Sequence, residues 1–183
     1  GWNAQPTRAV RFDGARVPVA NLLGDEGRGF RIAMAGLDGG RINIGACSIG
    51  GAQAALDRAV RYMGERKAFN RSLDQFQALQ FRVADMATEL EAARSLLYRA
   101  AAKLDARAPD ATAFCAMAKR FATDTGYSVA DAALQLHGGY GYLADYGIEK
   151  IVRDLRVHQI LEGTNEIMRL IVSRSVFSEG NRS

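Results

Sequence analysis

The chain has 183 residues, 48% of them hydrophobic, and a formal net charge of +4. This length and apolar content suffice for one domain with a sizeable core, and no apolar run reaches the roughly 18 residues of a membrane span. Acidic and basic residues are interleaved throughout, which argues against the clustered basic surface typical of nucleic-acid binding. The two cysteines, Cys47 and Cys115, lie among small residues in helical patterns, so we predict reduced core residues.

Residues 1–24 differ in character from the rest of the chain. Residues 7–12 alternate like a strand, Asp13-Gly14 is a turn signal, and residues 16–19 form a second short extended segment. Because an isolated pair of strands is at best marginally stable, we predict that residues 1–24 are the end of a β-domain. The first residue is Gly1, with no initiator methionine or leader pattern, which predicts a piece of a longer protein.

From residue 25 onward the apolar residues recur at the three- and four-residue spacing of helices. Gly39-Gly40 interrupts the first helical stretch, and Gly138-Gly139 stops a later one. The predicted helices cover about 29–38, 42–63, 74–107, 110–136, 145–162 and 164–177. Long helices with short connections and one apolar face each favour an all-α domain, an antiparallel four-helix bundle over residues 25–183.

One carboxylate, that of Glu162, stands where the last two predicted helices meet. It follows Ile160-Leu161, so we expect it to lie partly out of water, where a carboxylate is a stronger base. Gly163 can end one helix and Thr164 can cap the next, which leaves N–H groups facing whatever lies beside Glu162. This arrangement suits proton abstraction. Taken alone, the segment fits a solvated glutamate at a helix end even better.

Other motifs point in different directions. Residues 38–41 place an arginine directly after two glycines, and residues 135–139 end a helix where a backbone could approach a ligand closely. Residues 139–144 match the loose dinucleotide fingerprint, but a helical segment precedes them where a strand is required, which argues against a Rossmann site. Asp154 and His158 share a helix face, yet no third ligand stands at metal-site spacing, so we predict no metal.

Five segments of the chain together resemble the C-terminal portion of the acyl-CoA dehydrogenase family. They are residues 1–10, Leu-Asp-Gly-Gly-Arg-Ile-Asn-Ile at 37–44, Arg-Lys-Ala-Phe at 66–69, Leu-Gln-Leu-His-Gly-Gly-Tyr-Gly-Tyr at 134–142 and Ile-Leu-Glu-Gly-Thr-Asn-Glu-Ile-Met-Arg at 160–169. The likeness covers essentially the whole chain in order, and its last two motifs are specific to the family. One departure is Asn70, where the family usually has glycine.

The resemblance implies a flavoprotein that introduces a double bond between the α and β carbons of an acyl-CoA thioester. It implies FAD as cofactor, electron-transfer flavoprotein as electron acceptor, and a homo-oligomer built as a dimer of dimers. The branch most similar to this chain acts on short branched acyl groups such as isobutyryl-CoA. A bacterial cytoplasm or a mitochondrial matrix would suit the reduced cysteines. We expect the fragment alone to be inactive, because other domains complete the flavin and acyl pockets.

The family pattern also implies roles for individual residues. Glu162 is the implied catalytic base, whose N–H would also hold the thioester carbonyl. Some family members place the base just before the arginine of residues 38–41, but that position is Gly40 here. The implied FAD contacts are Arg66, Phe76, Gln77, Thr164, Asn165, Glu166 and, across a dimer interface, Gln135, Leu136, His137, Gly138 and Gly139. The implied acyl-CoA contacts are Asp38, Gly39, Gly40, Arg41 and Arg174.

Simpler interpretations stay open at several positions. Without the resemblance, Arg66 and Arg174 are typical surface arginines, Phe76 is a core aromatic, and Gly138-Gly139 is an ordinary helix end. Two functional alternatives also remain. One is a helical oligomerisation module without chemistry, and the other is an acyl-CoA oxidase, in which O2 reaches the reduced flavin.

Overall fold

The computed structural model of the protein describes residues 1–180, and most of them lie in α-helices. The helices are α1 (Gly29–Glu65), α2 (Gln77–Asp105), α3 (Ala111–His137), α4 (Ile148–Arg156) and α5 (Asn165–Gly180). The predicted all-α class is therefore confirmed. None of the described helices combines the length and the apolar character that crossing a membrane requires.

Three of the predicted helix boundaries are wrong, and one of them is the end of α4, which lies at Arg156 and not near residue 162. α1 continues without interruption through Gly39-Gly40, because each glycine costs a helix only about 1 kcal/mol and the packing of α1 against α3 favours a continuous helix. α4 begins only at Ile148, since Gly147 before it has a left-handed φ of 66° and the preceding residues form short 3-10 turns.

The two strands predicted within residues 1–24 are not formed in the described structure. This segment contains a single 3-10 turn, Val19–Asn21, and its apolar side chains, Phe12 among them, are exposed. A strand needs a neighbour for its ladder hydrogen bonds, and the helices of this chain offer none. That residues 1–24 end a β-domain stays a prediction.

A small hairpin connects α1 to α2. Strands β1 (Lys67–Ala68) and β2 (Arg71–Ser72) pair antiparallel, with Lys67 opposite Ser72. The two residues between them, Phe69 and Asn70, have φ values of 49° and 64°, the left-handed pair of a type I′ turn. Asn70 therefore stands at a left-handed position, where asparagine is better tolerated than most residues.

α3 lies at the centre of the fold and contacts the other four helices. α1 and α3 run in the same direction, with the hydroxyl of Thr112 donating to Asp38 near their beginnings and Ser48 against Gly126 further along. The core between α1, α2 and α3 is built mainly of alanine, leucine and methionine side chains, with Ile49 and Val129. Cys115 lies in the buried interior as predicted, whereas Cys47 is exposed, so its predicted core position is wrong.

α4 and α5 lie one after the other along α3, in the direction opposite to it. Leu155 of α4 packs on Gly51 of α1, and Asn165 at the start of α5 meets Thr123 of α3. Between the two helices the chain makes a tight turn at residues 160–164. The fold thus places this turn against the sides of α1 and α3, beside Gly40 in the first third of α1.

Candidate active site

The turn between α4 and α5 holds its residues in an uncommon backbone conformation. The last backbone hydrogen bond before the turn is that of Leu161 N–H to the Val157 carbonyl, at 3.0 Å. Glu162 and Gly163 then have φ values of 57° and 90°, a left-handed region that non-glycine residues rarely occupy. Within residues 1–180 the Glu162 N–H donates to no acceptor, so it is free to donate to a ligand.

The side chain of Glu162 lies directly against α1. It is half-buried, and a Cβ built on Gly40 would lie 2.7 Å from the Glu162 carboxyl carbon. Only glycine therefore leaves room for the carboxylate in this position. The structure thus brings Glu162 and residues 38–41 together.

Arg41 of α1 holds the turn from one side. Its guanidinium is 7% exposed and pairs with Asp38 at 2.7 Å; its Nε donates to the Glu162 backbone carbonyl at 3.4 Å. Asp38 is fixed in turn by the Thr112 hydroxyl of α3, at 2.6 Å. In this chain, Asp38 and Arg41 thus stabilise the backbone that carries Glu162, and their predicted contact with acyl-CoA stays a prediction.

Lys119 of α3 holds the same turn from beneath. This lysine is fully buried, and its Nζ donates to the Gly163 carbonyl and to Asn165 Oδ1, both at 2.8 Å. Asn165 donates in turn to Asp124 at 2.7 Å. Burial lowers the pKa of Lys119 to about 8, an effect that the nearby carboxylates of Asp124 and Glu162 oppose.

Of the three predicted flavin contacts at the start of α5, Asn165 is buried, whereas Thr164 and Glu166 are not. The Thr164 hydroxyl accepts from Ile167 N–H at 3.4 Å, which confirms Thr164 as the helix cap. Asn165 is only 3% exposed, and its side-chain amide faces α3. A flavin contact at this residue must therefore use its backbone. Glu166 is exposed, and hydrogen bonds from its own N–H and from Thr164 hold the pKa of its carboxyl below the ordinary value.

A separate cleft of about 520 Å³ lies at the other end of α1. It contains Arg66 together with all five residues of 135–139. The ring of His137 stacks on Tyr62, with centroids 4.5 Å apart, and Gly138 has a φ of 60° with open space beside its Cα. A guanidinium, flat aromatic faces and an accessible backbone are suited to a nucleotide with a pyrophosphate group.

The remaining predicted contacts lie beside these two groups. Phe76 packs against Phe69, and Arg71 lies over its ring at 3.8 Å, while Gln77 begins α2 and is exposed. Both flank the large cleft without lining it. Arg174 is exposed on α5, one turn beyond Ile171, which lines a smaller cleft with Asp38 and Arg41.

The two groups of predicted site residues are far apart within one chain. Arg41 and Arg66 lie on and immediately after the same helix, 25 positions apart in sequence. At 1.5 Å of rise per residue, this separation corresponds to roughly 37 Å along α1. Glu162 and the large cleft therefore belong to opposite ends of the domain.

Comparison with known proteins gives a consistent result. The model for the acyl-CoA dehydrogenase C-terminal domain matches residues 27–177, which is most of the chain. The chain belongs to the acyl-CoA dehydrogenase family. The resemblance drawn from the sequence motifs is thereby confirmed.

Individual relatives refine the placement within the acyl-CoA dehydrogenase family. The mitochondrial isobutyryl-CoA dehydrogenase of Dictyostelium discoideum is 58% identical over 96% of this chain and 42% of its own length. The butyryl-CoA dehydrogenase structure of Megasphaera elsdenii superposes with a TM-score of 0.85 at 44% identity, covering 88% of this chain and 42% of that one. An acyl-CoA dehydrogenase of Bacillus anthracis complexed with FAD gives 0.84 at 32% identity, covering 91% and 32%. The chain thus spans less than half the length of these relatives.

Sequence reasoning did not identify Lys119 or Thr112 as residues of the site. Lys119 carries a recognisable signal, because it stands four residues from Cys115 and from Thr123, both on the buried face of α3. A lysine on the apolar face of a helix needs a hydrogen-bonding partner. The identity of that partner, the Gly163 carbonyl, depends on the tertiary structure.

Proposed function

We propose that the complete protein is an FAD-dependent acyl-CoA dehydrogenase that acts on a short branched acyl-CoA, with Glu162 as the catalytic base. The observation that carries this proposal is the placement of the Glu162 carboxylate against Gly40, in a turn held by Arg41 and Lys119. The 58% identity to an isobutyryl-CoA dehydrogenase supports the substrate class.

In the proposed reaction, the Glu162 carboxylate takes the α-proton of the thioester. The electron pair left on the α carbon forms the new double bond as the β-hydrogen departs with its own pair. Bound FAD supplies the acceptor for that hydride. The free N–H of Glu162 would donate to the thioester carbonyl oxygen as negative charge develops there, which makes the α-proton easier to remove.

The large cleft fits part of the cofactor. Arg66 suits a pyrophosphate, and Gly138-Gly139 allows close backbone approach. Because this cleft lies at the opposite end of α1 from Glu162, we propose that each FAD is shared between two copies of the chain. This assigns a physical reason to the predicted homo-oligomer. Electron-transfer flavoprotein as the acceptor and a dimer of dimers stay predictions from the family.

The test is substitution of Glu162 in the complete flavoprotein. Glu162→Gln removes the base while keeping the side-chain shape, and a general base contributes about 10²- to 10⁴-fold. We expect turnover of isobutyryl-CoA with an artificial electron acceptor to fall by that factor, with FAD still bound. Glu91→Gln, at an exposed position on α2, is the matched control and should match the wild type.

Other outcomes identify the alternatives. Turnover retained by Glu162→Gln would remove Glu162 from the mechanism. Hydrogen peroxide formed in air at the rate of turnover would identify an oxidase. A wild-type protein that binds no flavin and dehydrogenates none of a panel of acyl-CoAs would identify an oligomerisation module.

A further inference from the structure

The turn that carries Glu162 has a second layer of support, and of its four members only Asn165 has a role implied by the family. Its members are Lys119, Thr123 and Asp124 on α3, and Asn165 at the start of α5. Lys119 and Thr123 are fully buried, and Asn165 is 3% exposed. Buried polar side chains are costly unless they are hydrogen-bonded, so these contacts are specific ones.

The hydrogen bonds of this layer join α3 to the turn and to the first residue of α5. Lys119 Nζ donates to the Gly163 carbonyl and to Asn165 Oδ1, at 2.8 Å each. The Asn165 amide donates from its other end to Asp124 Oδ1 at 2.7 Å and to Thr123 Oγ1 at 3.0 Å. Asn165 therefore bridges the buried Lys119 ammonium and the Asp124 carboxylate, which also pairs with Arg120 at 3.5 Å and Arg169 at 3.6 Å.

These contacts hold the two residues of the turn that have an uncommon backbone conformation. Glu162 and Gly163 both have a positive φ, and such a conformation persists only when its surroundings determine it. Arg41 donates to the Glu162 carbonyl, and Lys119 donates to the carbonyl of the next residue, Gly163. Two cations from two different helices thus fix two consecutive peptide groups, and with them the direction of the Glu162 side chain.

We propose that Lys119, acting with Asn165, is a positioning residue that orients the catalytic base through the Gly163 carbonyl. This inference rests on the proposed function of Glu162. Lys119 lies beneath the turn and is fully buried, so it does not touch the substrate. Its effect is on the proton-abstraction step, because a base displaced by about 1 Å can lose on the order of 100-fold in rate.

The test is Lys119→Met in the complete flavoprotein, a change that keeps the length of the side chain and removes its donors. We expect kcat per bound flavin to fall roughly 10- to 100-fold, while KM for isobutyryl-CoA changes less than about threefold. The isotope effect on kcat with α-deuterated substrate should rise, because proton abstraction becomes slower. A purely structural role would reduce the amount of folded flavoprotein. It would leave kcat per bound flavin and the isotope effect on kcat unchanged.

A second readout is independent of turnover. Amide hydrogen exchange of residues 162–168, measured by mass spectrometry, should become faster in Lys119→Met, since the turn and the first turn of α5 lose their anchor. Lys150→Met is the matched control, because Lys150 is exposed on α4 and pairs with Asp154. It should change neither kcat nor exchange of these residues.

The outcomes separate this inference from the proposed function. If Lys119→Met does not fold, Asn165→Ala is measured in the same way, since it removes the bridge to Asp124 with a smaller change. A kcat per bound flavin within twofold of wild type, in the variant that folds, overturns the inference even where Glu162→Gln is inactive. If Glu162→Gln stays active, the proposed function fails. Hydrogen exchange at residues 162–168 that is unchanged in Lys119→Met would also overturn the support assigned to Lys119.

Discussion

Gly40 offers a direct test of whether the position of the Glu162 carboxylate matters. In Gly40→Ala the new Cβ would lie 2.7 Å from the Glu162 carboxyl carbon, whereas ordinary contacts are 3.4–4 Å. The carboxylate is the free end of a flexible side chain, so it is the group that moves, by about 1 Å. A shift of that size in a catalytic group can cost about 100-fold in rate, which corresponds to about 2.7 kcal/mol in the activation barrier.

The assay is steady-state dehydrogenation of isobutyryl-CoA by the complete flavoprotein, with rates divided by the bound flavin. We expect kcat of Gly40→Ala to be about 100-fold below that of wild type. Gly50→Ala is the matched control, because Gly50 lies in the same helix and an added Cβ there meets nothing within 4 Å. Both changes favour the helix equally. A kcat of Gly40→Ala within threefold of Gly50→Ala would refute the reasoning.

Two further predictions concern stability. Gly126→Ala should lower the thermal midpoint, since its Cβ would lie 3.0 Å from the Ser48 carbonyl and overpacking costs about 1–3 kcal/mol; a midpoint at or above that of Gly50→Ala would contradict this. Lys119 binds a proton less tightly in the folded chain, with a pKa of about 8 against 10.5, so the free energy of unfolding should rise with pH across that window, by at most about 3 kcal/mol. Denaturant titrations of wild type and Lys119→Met at pH 7.5 and 10.5 measure this difference, and a constant gap would contradict it. The charged groups that influence Lys119 are Asp124, Arg41, Glu162 and Glu166.

The helices could be predicted because their apolar residues recur in the sequence at three- and four-residue spacing. Leu90, Ala93 and Leu97 of α2 show this spacing in the sequence, and all three are buried in the structure. The prediction failed at Gly39-Gly40, where a local signal for a break is weaker than the packing of a helix on its neighbours. The two strands predicted in residues 1–24 are also not formed, because within residues 1–180 no strand pairs with this segment.

The candidate site was predictable only in part, because its residues come from three helices. Glu162 and the cap at Thr164 follow from local chemistry in one segment. The network around Lys119 does not, since Gly163 lies 44 positions away in sequence. The sequence also could not show that Asn165 turns its amide inward, because the same residue type is common at exposed helix starts.

The left-handed backbone at Glu162 has an evolutionary consequence. A non-glycine residue in this conformation carries on the order of 1–3 kcal/mol of strain, which glycine would relieve. Replacement of the glutamate by glycine would thus make the protein easier to fold and would remove the carboxylate that we propose as the base. In a lineage that no longer needs the proposed activity, selection for stability would favour glycine at this position. An acidic residue retained at this bend would therefore distinguish an active enzyme from an inactive relative.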